Sequence, residues 1–313
     1  MSASFHVSES VAAALAEGRP VVALESTIIS HGLPQPRNLE AAREFEQMLV
    51  ERGVTPATIA VLDGVPQIGL DESGIERIAL GGSMAKASVR DLPILAARRA
   101  SGATTVAATA WLAARAGVRV FATGGLGGVH RGASETFDES ADLDTLAGVP
   151  VAVVSAGVKS VLDIAATLER LETLSVPVVG YGTDEFPSFW LASSGHRLDW
   201  RVDSAAEVAA ILRAQDAWRA EGAGAQGLVV ANPISLAEQW DPVEHDRVLT
   251  EALAAADTAG VRGKAVTPFL LKYIVGASGG TSLEVNLDIA RGNVRVAAEI
   301  ATAYAAACHG REE

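Results

Sequence analysis

Residues 103–132 read ATTVAATAWLAARAGVRVFATGGLGGVHRG. Ala103–Ala116 is alanine-rich and helical in composition, Val118–Ala122 is a short apolar run, and the segment after it is rich in glycine. A strand that is apolar at nearly every position is covered on both faces, as in a parallel sheet between two helical layers. The same alternation extends in both directions. Further strand candidates are Val21–Leu24, Thr58–Leu62, Val151–Val154, Val176–Gly180 and Gly227–Val230. Helix candidates are Arg37–Glu51, Ser160–Leu174, Ala205–Ala220, Pro242–Ala259 and a last one from Ser282 to Ala307. Asp203 or Ser204 caps one helix start, and Asp241-Pro242 reads as an N-cap followed by proline in the first turn. This order predicts a three-layer α/β/α fold with a large mixed, mostly parallel central sheet. No internal repeat is evident, Glu221–Gly227 reads as a loop, and residues 1–313 are expected to form a single domain.

The composition narrows the function. With 49% hydrophobic and 20% charged residues, the chain is neither a disordered tail, a collagen-like repeat nor a disulfide-stapled miniprotein. Its net charge is −13, from 25 basic and 38 acidic side chains, a field that repels a nucleic-acid polymer. A small anion remains compatible, because a few local donors outweigh a distant field. The lone Cys308 offers neither a disulfide partner nor a zinc cluster. No run approaches the ~18 apolar residues of a membrane span, and MSASFHVSES lacks the pattern of a secretory signal. A cytoplasmic protein with no membrane partner is expected.

Ligands of open α/β sheets bind beyond the carboxyl ends of the strands, so the residues that follow each strand candidate carry the functional reading. Glu25 ends the first strand and is a candidate proton carrier or a buried ion-pair member. Thr123–Gly132 holds five glycines in ten residues with His130 and Arg131, a composition suited to an anion and equally to plain turns. Asp138 and Asp142 are four apart, so on a helix they share a face. With a hydroxyl they suit Mg²⁺ or Mn²⁺, and the same pattern fits a capped, acidic first turn. Only four of the basic residues are lysine: Lys86, Lys159, Lys264 and Lys272. Arginine keeps its proton at neutral pH, whereas a lysine amine can become a nucleophile or form a Schiff base. Lys159 stands after the Val151–Val154 strand, where the helix from Ser160 is expected to begin. Asn232 and Asn286 are weaker candidates for amide hydrogen bonds, His31 fits a turn, and His6, His196, His245 and His309 read as surface histidines.

Together the segments ALESTIISHGLP (23–34), GVTPATIAVLDG (53–64), KASVRD (86–91), GATTVAAT (102–109), FATGGLGGVHRGASETFDESADL (121–143), VSAGVKSVLD (154–163), VVGYGTDEFPSFW (178–190), VTPFLLKYI (266–274) and GGTSLEVN (279–286) resemble the pseudouridine-5′-phosphate glycosidase family, which is related to indigoidine-synthase-A-like proteins. The resemblance runs from about residue 20 to 300. It implies reversible cleavage of pseudouridine 5′-phosphate, with water, to uracil and ribose 5-phosphate. The bond broken joins C1′ to a carbon, so protonation of a leaving oxygen does not apply. The resemblance implies Lys159 as the nucleophile and Glu25 as proton donor or shuttle. It gives Lys86, Val106, Ser140, Ala141 and Asp142 as substrate contacts, Asp138 as the protein ligand of one Mn²⁺ held mostly through water, and a homotrimer. Thr123, His130 and Asn286 are added here for the phosphate and sugar. Two competing readings are a ribokinase-like sugar kinase, although no Gly-Ala-Gly-Asp anion motif occurs in the C-terminal half, and a non-catalytic accessory protein.

Overall fold

The computed structural model describes residues 5–82, 84–262 and 266–309; Ser83 and Lys264 lie outside them. Its strands are β1 (His6–Val7), β2 (Val21–Leu24), β3 (Thr55–Leu62), β4 (Val65–Ile68), β5 (Ala85–Ala87), β6 (Gly102–Thr104), β7 (Val120–Ala122), β8 (Ala152–Ser155), β9 (Val178–Tyr181), β10 (Arg201–Val202) and β11 (Leu228–Ala231). Its helices are α1 (Glu9–Ala16), α2 (Arg37–Val50), α3 (Glu72–Leu80), α4 (Leu92–Arg98), α5 (Val106–Ala116), α6 (Ala133–Thr136), α7 (Ala141–Leu146), α8 (Ile164–Thr173), α9 (Ala205–Ala220), α10 (Pro242–Thr258), α11 (Val266–Ala277) and α12 (Thr281–His309).

One sheet runs β1-β4-β3-β2-β7-β8-β11-β9-β10, with β6 joined to β3 and β5. From β3 through β10 the neighbours are parallel; β3 is antiparallel to β4 and β6. The mixed, mostly parallel sheet of the sequence reading is therefore present. Successive strand residues feed opposite layers, as period two requires. Val21, Ala23, Phe121, Val153 and Val229 pack on one face with α5, α8 and α10. Val22, Leu24, Val120, Val154 and Val230 pack on the other with α2, α9 and α12.

Two boundaries change the reading of the site. The helix expected from Ala103 starts at Val106, because Gly102–Thr104 is used as a strand and Thr105 accepts the Ala108 amide as N-cap. The helix expected from Ser160 starts at Ile164, capped by Asp163. Lys159 therefore sits in a strap between β8 and α8 and not at a helix N-terminus.

The chain crosses the sheet in opposite directions from its centre. From β2 it returns through α2 to β3, and from β7 it passes through α6 and α7 to β8 on the other side. A crevice therefore opens beyond the carboxyl ends of β2 and β7, the switch point at which such sheets bind ligands.

Candidate active site

Glu25 and Thr123 flank this crevice because their strands are in register. Val22, Ala23 and Leu24 pair with Val120, Phe121 and Ala122, so the next residue on each strand meets the other. The Thr123 hydroxyl donates to Glu25 Oε1 and the Thr27 hydroxyl to Oε2, which fixes a carboxylate that is only 8% exposed. Directly beneath, the Ser26 hydroxyl donates to the Ile59 carbonyl at 2.7 Å and accepts the Thr104 amide at 2.8 Å. Buried hydroxyls thus tie β2, β3 and β6 together under the carboxylate.

Lys159 arrives from β8. Its backbone amide donates to the Leu126 carbonyl at 3.2 Å, and its Nζ to the Gly125 carbonyl at 2.7 Å. Lys86 enters from β5, in register with Ala103 of β6. Water reaches its side chain, yet the protein crowds it: lost solvation first, and the neighbouring Lys159 charge second, lower its pKa, while Glu25 and Asp142 oppose them. Both lysines, Glu25 and Asp142 therefore share one electrostatic neighbourhood. The other described lysine, Lys272, is exposed on α11.

The glycine-rich loop owes its composition to packing. A Cβ on Gly125 would stand 2.7 Å from the Phe189 ring, one on Gly127 2.8 Å from Asp142 Oδ2, and one on Gly128 2.9 Å from Thr167 Cγ2. The loop amides also serve the protein itself. Thr123 donates to Val154, Leu126 to Gly157 and His130 to Asp138, and the Val129 amide donates to the Thr167 hydroxyl. These amides do not converge on a shared anion position.

Asp138 and Asp142 do not share a helix face; of the two readings, the capped, acidic first turn is the one present, and it holds Asp142. Helix α7 starts only at Ala141, with Ser140 as its N-cap, so Asp138 lies before it in extended chain. Asp142 is buried, accepting the Ala107 amide at 2.9 Å and the Gly127 amide at 2.8 Å. It locks the glycine loop onto the start of α5, beside Val106. Asp138 is half-buried, with the His130 ring 4.0 Å away; Ser140 is half-buried and Ala141 exposed. Among the described residues, no group of three or more His, Cys, Asp or Glu side chains is placed to hold a metal.

From the other layer, α12 closes the crevice. Asn286 faces Gly124, its Oδ1 3.4 Å from where a Cβ would be. Asn293, two turns on, donates to the carbonyls of Thr123 at 2.7 Å and Gly124 at 3.2 Å, and receives Asn232 Nδ2 at 2.9 Å. A small cavity lined by Leu24, Ile28, Phe45 and Val294 adjoins Glu25 from behind. His31 lies in a π-helical turn, Ile28–Gly32, with Nε2 3.2 Å from the Met84 carbonyl. His245 is not a surface residue, since it is 3% exposed.

The family model of indigoidine synthase A like protein matches residues 10–303. The chain belongs to this family. Among curated relatives, a pseudouridine-5′-phosphate glycosidase of Frankia alni is 59% identical, over 96% of this chain and 82% of its own. One of Saccharopolyspora erythraea is 57% identical, over 96% and 97%. Among solved structures, the prealnumycin C-glycosynthase AlnA in complex with ribulose 5-phosphate superposes with a TM-score of 0.89 at 38% identity, covering 98% of this chain and 99% of that one. An indigoidine synthase A-like protein of Thermotoga maritima gives 0.83 at 37%, over 91% and 93%. Within this family frame, Thr27, Asn293 and Ser160 are site-region residues that the sequence reading passed over, and His245 is one that it left at the surface. Two of them left a signal. Asn293 is seven residues from Asn286 on one helical face, and His245 falls in the spacing of the α10 core residues Val248, Leu249, Ala252 and Ala256.

Proposed function

We propose that the chain is a pseudouridine-5′-phosphate glycosidase that cleaves the C1′–C5 bond through a Schiff base on Lys159. One observation carries the reading: in a chain with four lysines, two stand close enough to lower a pKa, opposite a fixed carboxylate at the sheet's switch point. The names of the relatives support the substrate, and the sugar phosphate held by AlnA supports a phosphorylated pentose.

The ribose ring opens, its ring oxygen takes a proton, and the Lys159 amine bonds to C1′. The nitrogen lone pair then forms the C1′ imine while the electron pair of the C1′–C5 bond leaves with uracil, and C5 takes a proton. Water hydrolyses the imine, frees ribose 5-phosphate and returns the amine. Glu25, held by two hydroxyls, carries the protons. Lys86 supplies a cation for the phosphate. His130 and Asn286 line the sugar side.

A single carboxylate beside an imidazole fits Mn²⁺ that keeps most of its water, so Asp138 would hold one ion per subunit. Such an ion supplies positive charge against the phosphate. The family resemblance also supports a homotrimer, to be read from the mass in solution.

Borohydride trapping with pseudouridine 5′-phosphate, followed by mass mapping, tests the reading. A sugar-phosphate adduct on Lys159 is expected, with turnover lost by at least about a thousandfold in Lys159→Ala, as for the removal of a covalent nucleophile. Adduct formation undiminished in that variant rejects the assignment. The likeness to AlnA favours a second reading, net C-glycoside synthesis. It is separated by offering ribose 5-phosphate with uracil or with prealnumycin and following which C-glycoside forms.

A further inference from the structure

Next to Lys159 lies a buried chain of polar groups that the proposed reaction does not use. The Ser160 hydroxyl is 3.2 Å from His245 Nε2, and His245 Nδ1 is 2.9 Å from Asp246 Oδ1. The order is that of a serine nucleophile with its base and orienting acid. Burial excludes that role: Ser160 is 2% exposed and His245 3%, so no substrate reaches the hydroxyl. Asp246, at the other end, is exposed on α10.

Aromatic rings enclose the histidine of the pair. His245 packs edge-on against Trp190 and Trp240, with ring centroids 6.0 Å and 5.6 Å away. Trp190 Nε1 donates to the Ser282 carbonyl at 3.0 Å, and its neighbour Phe189 fills the space over Gly125, whose carbonyl receives Lys159 Nζ. Arg131, from the glycine loop, donates to the Ser160 carbonyl at 3.4 Å. The residue following the lysine is thus gripped by its carbonyl from the loop and by its hydroxyl from α10. The strap Ala156–Asp163 is bridged to its neighbours at Gly157, Val158 and Asp163, and Ser160 stands in the turn between the last two of these bridges. A buried donor–acceptor pair tolerates few alternative arrangements, because breaking it leaves an unsatisfied group in the interior.

We propose that Asp246, His245 and Ser160 form a positioning relay that pins the strap from the outer helix α10 and so sets the reach of the Lys159 amine towards C1′. The inference rests on Lys159 being the nucleophile. A displacement of about 1 Å at a reacting atom costs up to about a hundredfold in rate, so a relay of this kind acts on kcat.

The test compares Ser160→Ala, His245→Phe and the double variant with the unaltered enzyme, measuring Tm, kcat and KM on pseudouridine 5′-phosphate. Each single variant leaves one buried polar group without its partner and is expected to lower Tm. The double variant removes both groups, and the phenyl ring refills the tryptophan cage, so its Tm is expected to recover. If the relay positions the amine, kcat in the double variant stays about tenfold down with KM within about twofold, although Tm has recovered. Recovery of kcat along with Tm overturns the proposal, because the pair then serves stability alone. So does a loss confined to KM. The nucleophile reading fails separately: an adduct that still forms in Lys159→Ala refutes that reading, whereas an inactive Lys159→Ala beside a fully active double variant refutes only the relay.

Discussion

At the scale of single residues, two ionisable groups that lose solvation are pushed towards their neutral forms, and a like charge nearby adds to the push in each. Lys86 stands beside a second cation, and both desolvation and that neighbour disfavour its charge. Among the described residues, no cation offsets the lost solvation of Glu46 on α2. Desolvation first, with the charge of Glu72 adding to it, pushes its carboxyl from 4.5 up to about 7, although the Thr58 hydroxyl donates to it at 2.5 Å. A group whose folded pKa is raised binds more protons folded than unfolded between those two values. Stability from this site is therefore fully present below about pH 4.5 and falls as pH rises through 7. The shift bounds the loss at about 3 kcal/mol. Glu46→Gln keeps an acceptor for Thr58 and carries no charge, so its Tm should exceed that of the parent at pH 8 and match it near pH 4.5. Thermal melts across that range decide it. Equal slopes for the two proteins would show that Glu46 is solvated as an ion.

At the scale of elements, the loop between β7 and α7 shows why sequence legibility stopped where it did. Its strand was readable from composition, since Val120–Ala122 is buried on both faces, and the motif from Phe121 to Leu143 marked the site region. The reason for its glycines was not readable. Phe189, Thr167 and Asp142 lie far along the chain, and only the folded chain brings them against Gly125, Gly128 and Gly127. Likewise Ser160–Leu174 reads as one helix from composition, yet Asp163 caps a helix that starts only at Ile164, which leaves Lys159 outside it. The carboxylates of this loop have separable duties. Asp142→Asn replaces one acceptor by a donor opposite the Ala107 or Gly127 amide, and should cost about 1–3 kcal/mol of stability. Among the described residues, no backbone amide donates to the Asp138 carboxylate, and Asp138→Ala should leave Tm nearly unchanged while weakening Mn²⁺ binding. Melting curves beside metal titrations check both. Equal Mn²⁺ affinity in Asp138→Ala and the parent would remove Asp138 as the ligand.

At the scale of the whole molecule, an acidic protein must admit a substrate that carries a phosphate. The net charge of −13 repels it, and Lys86 and Lys159, at the crevice, attract it. The two effects differ in range. The screening length is about 30 Å at 0.01 M salt, about 8 Å at physiological ionic strength and about 3 Å at 1 M. In dilute buffer the whole surface acts on an approaching anion. Near physiological salt only the charges lining the crevice still reach it, and in molar salt even these are screened outside direct contact. The association rate should therefore rise from dilute buffer to physiological salt and fall again towards 1 M. Measured as kcat/KM for pseudouridine 5′-phosphate against salt, this gives a maximum. Lys86→Met should flatten the falling limb and leave the rising one in place, because the rising limb comes from acidic groups spread over the surface. A kcat/KM that only falls from the lowest salt upward would mean that the crevice cations govern the approach at every distance, and the net charge would then play no part in admitting substrate.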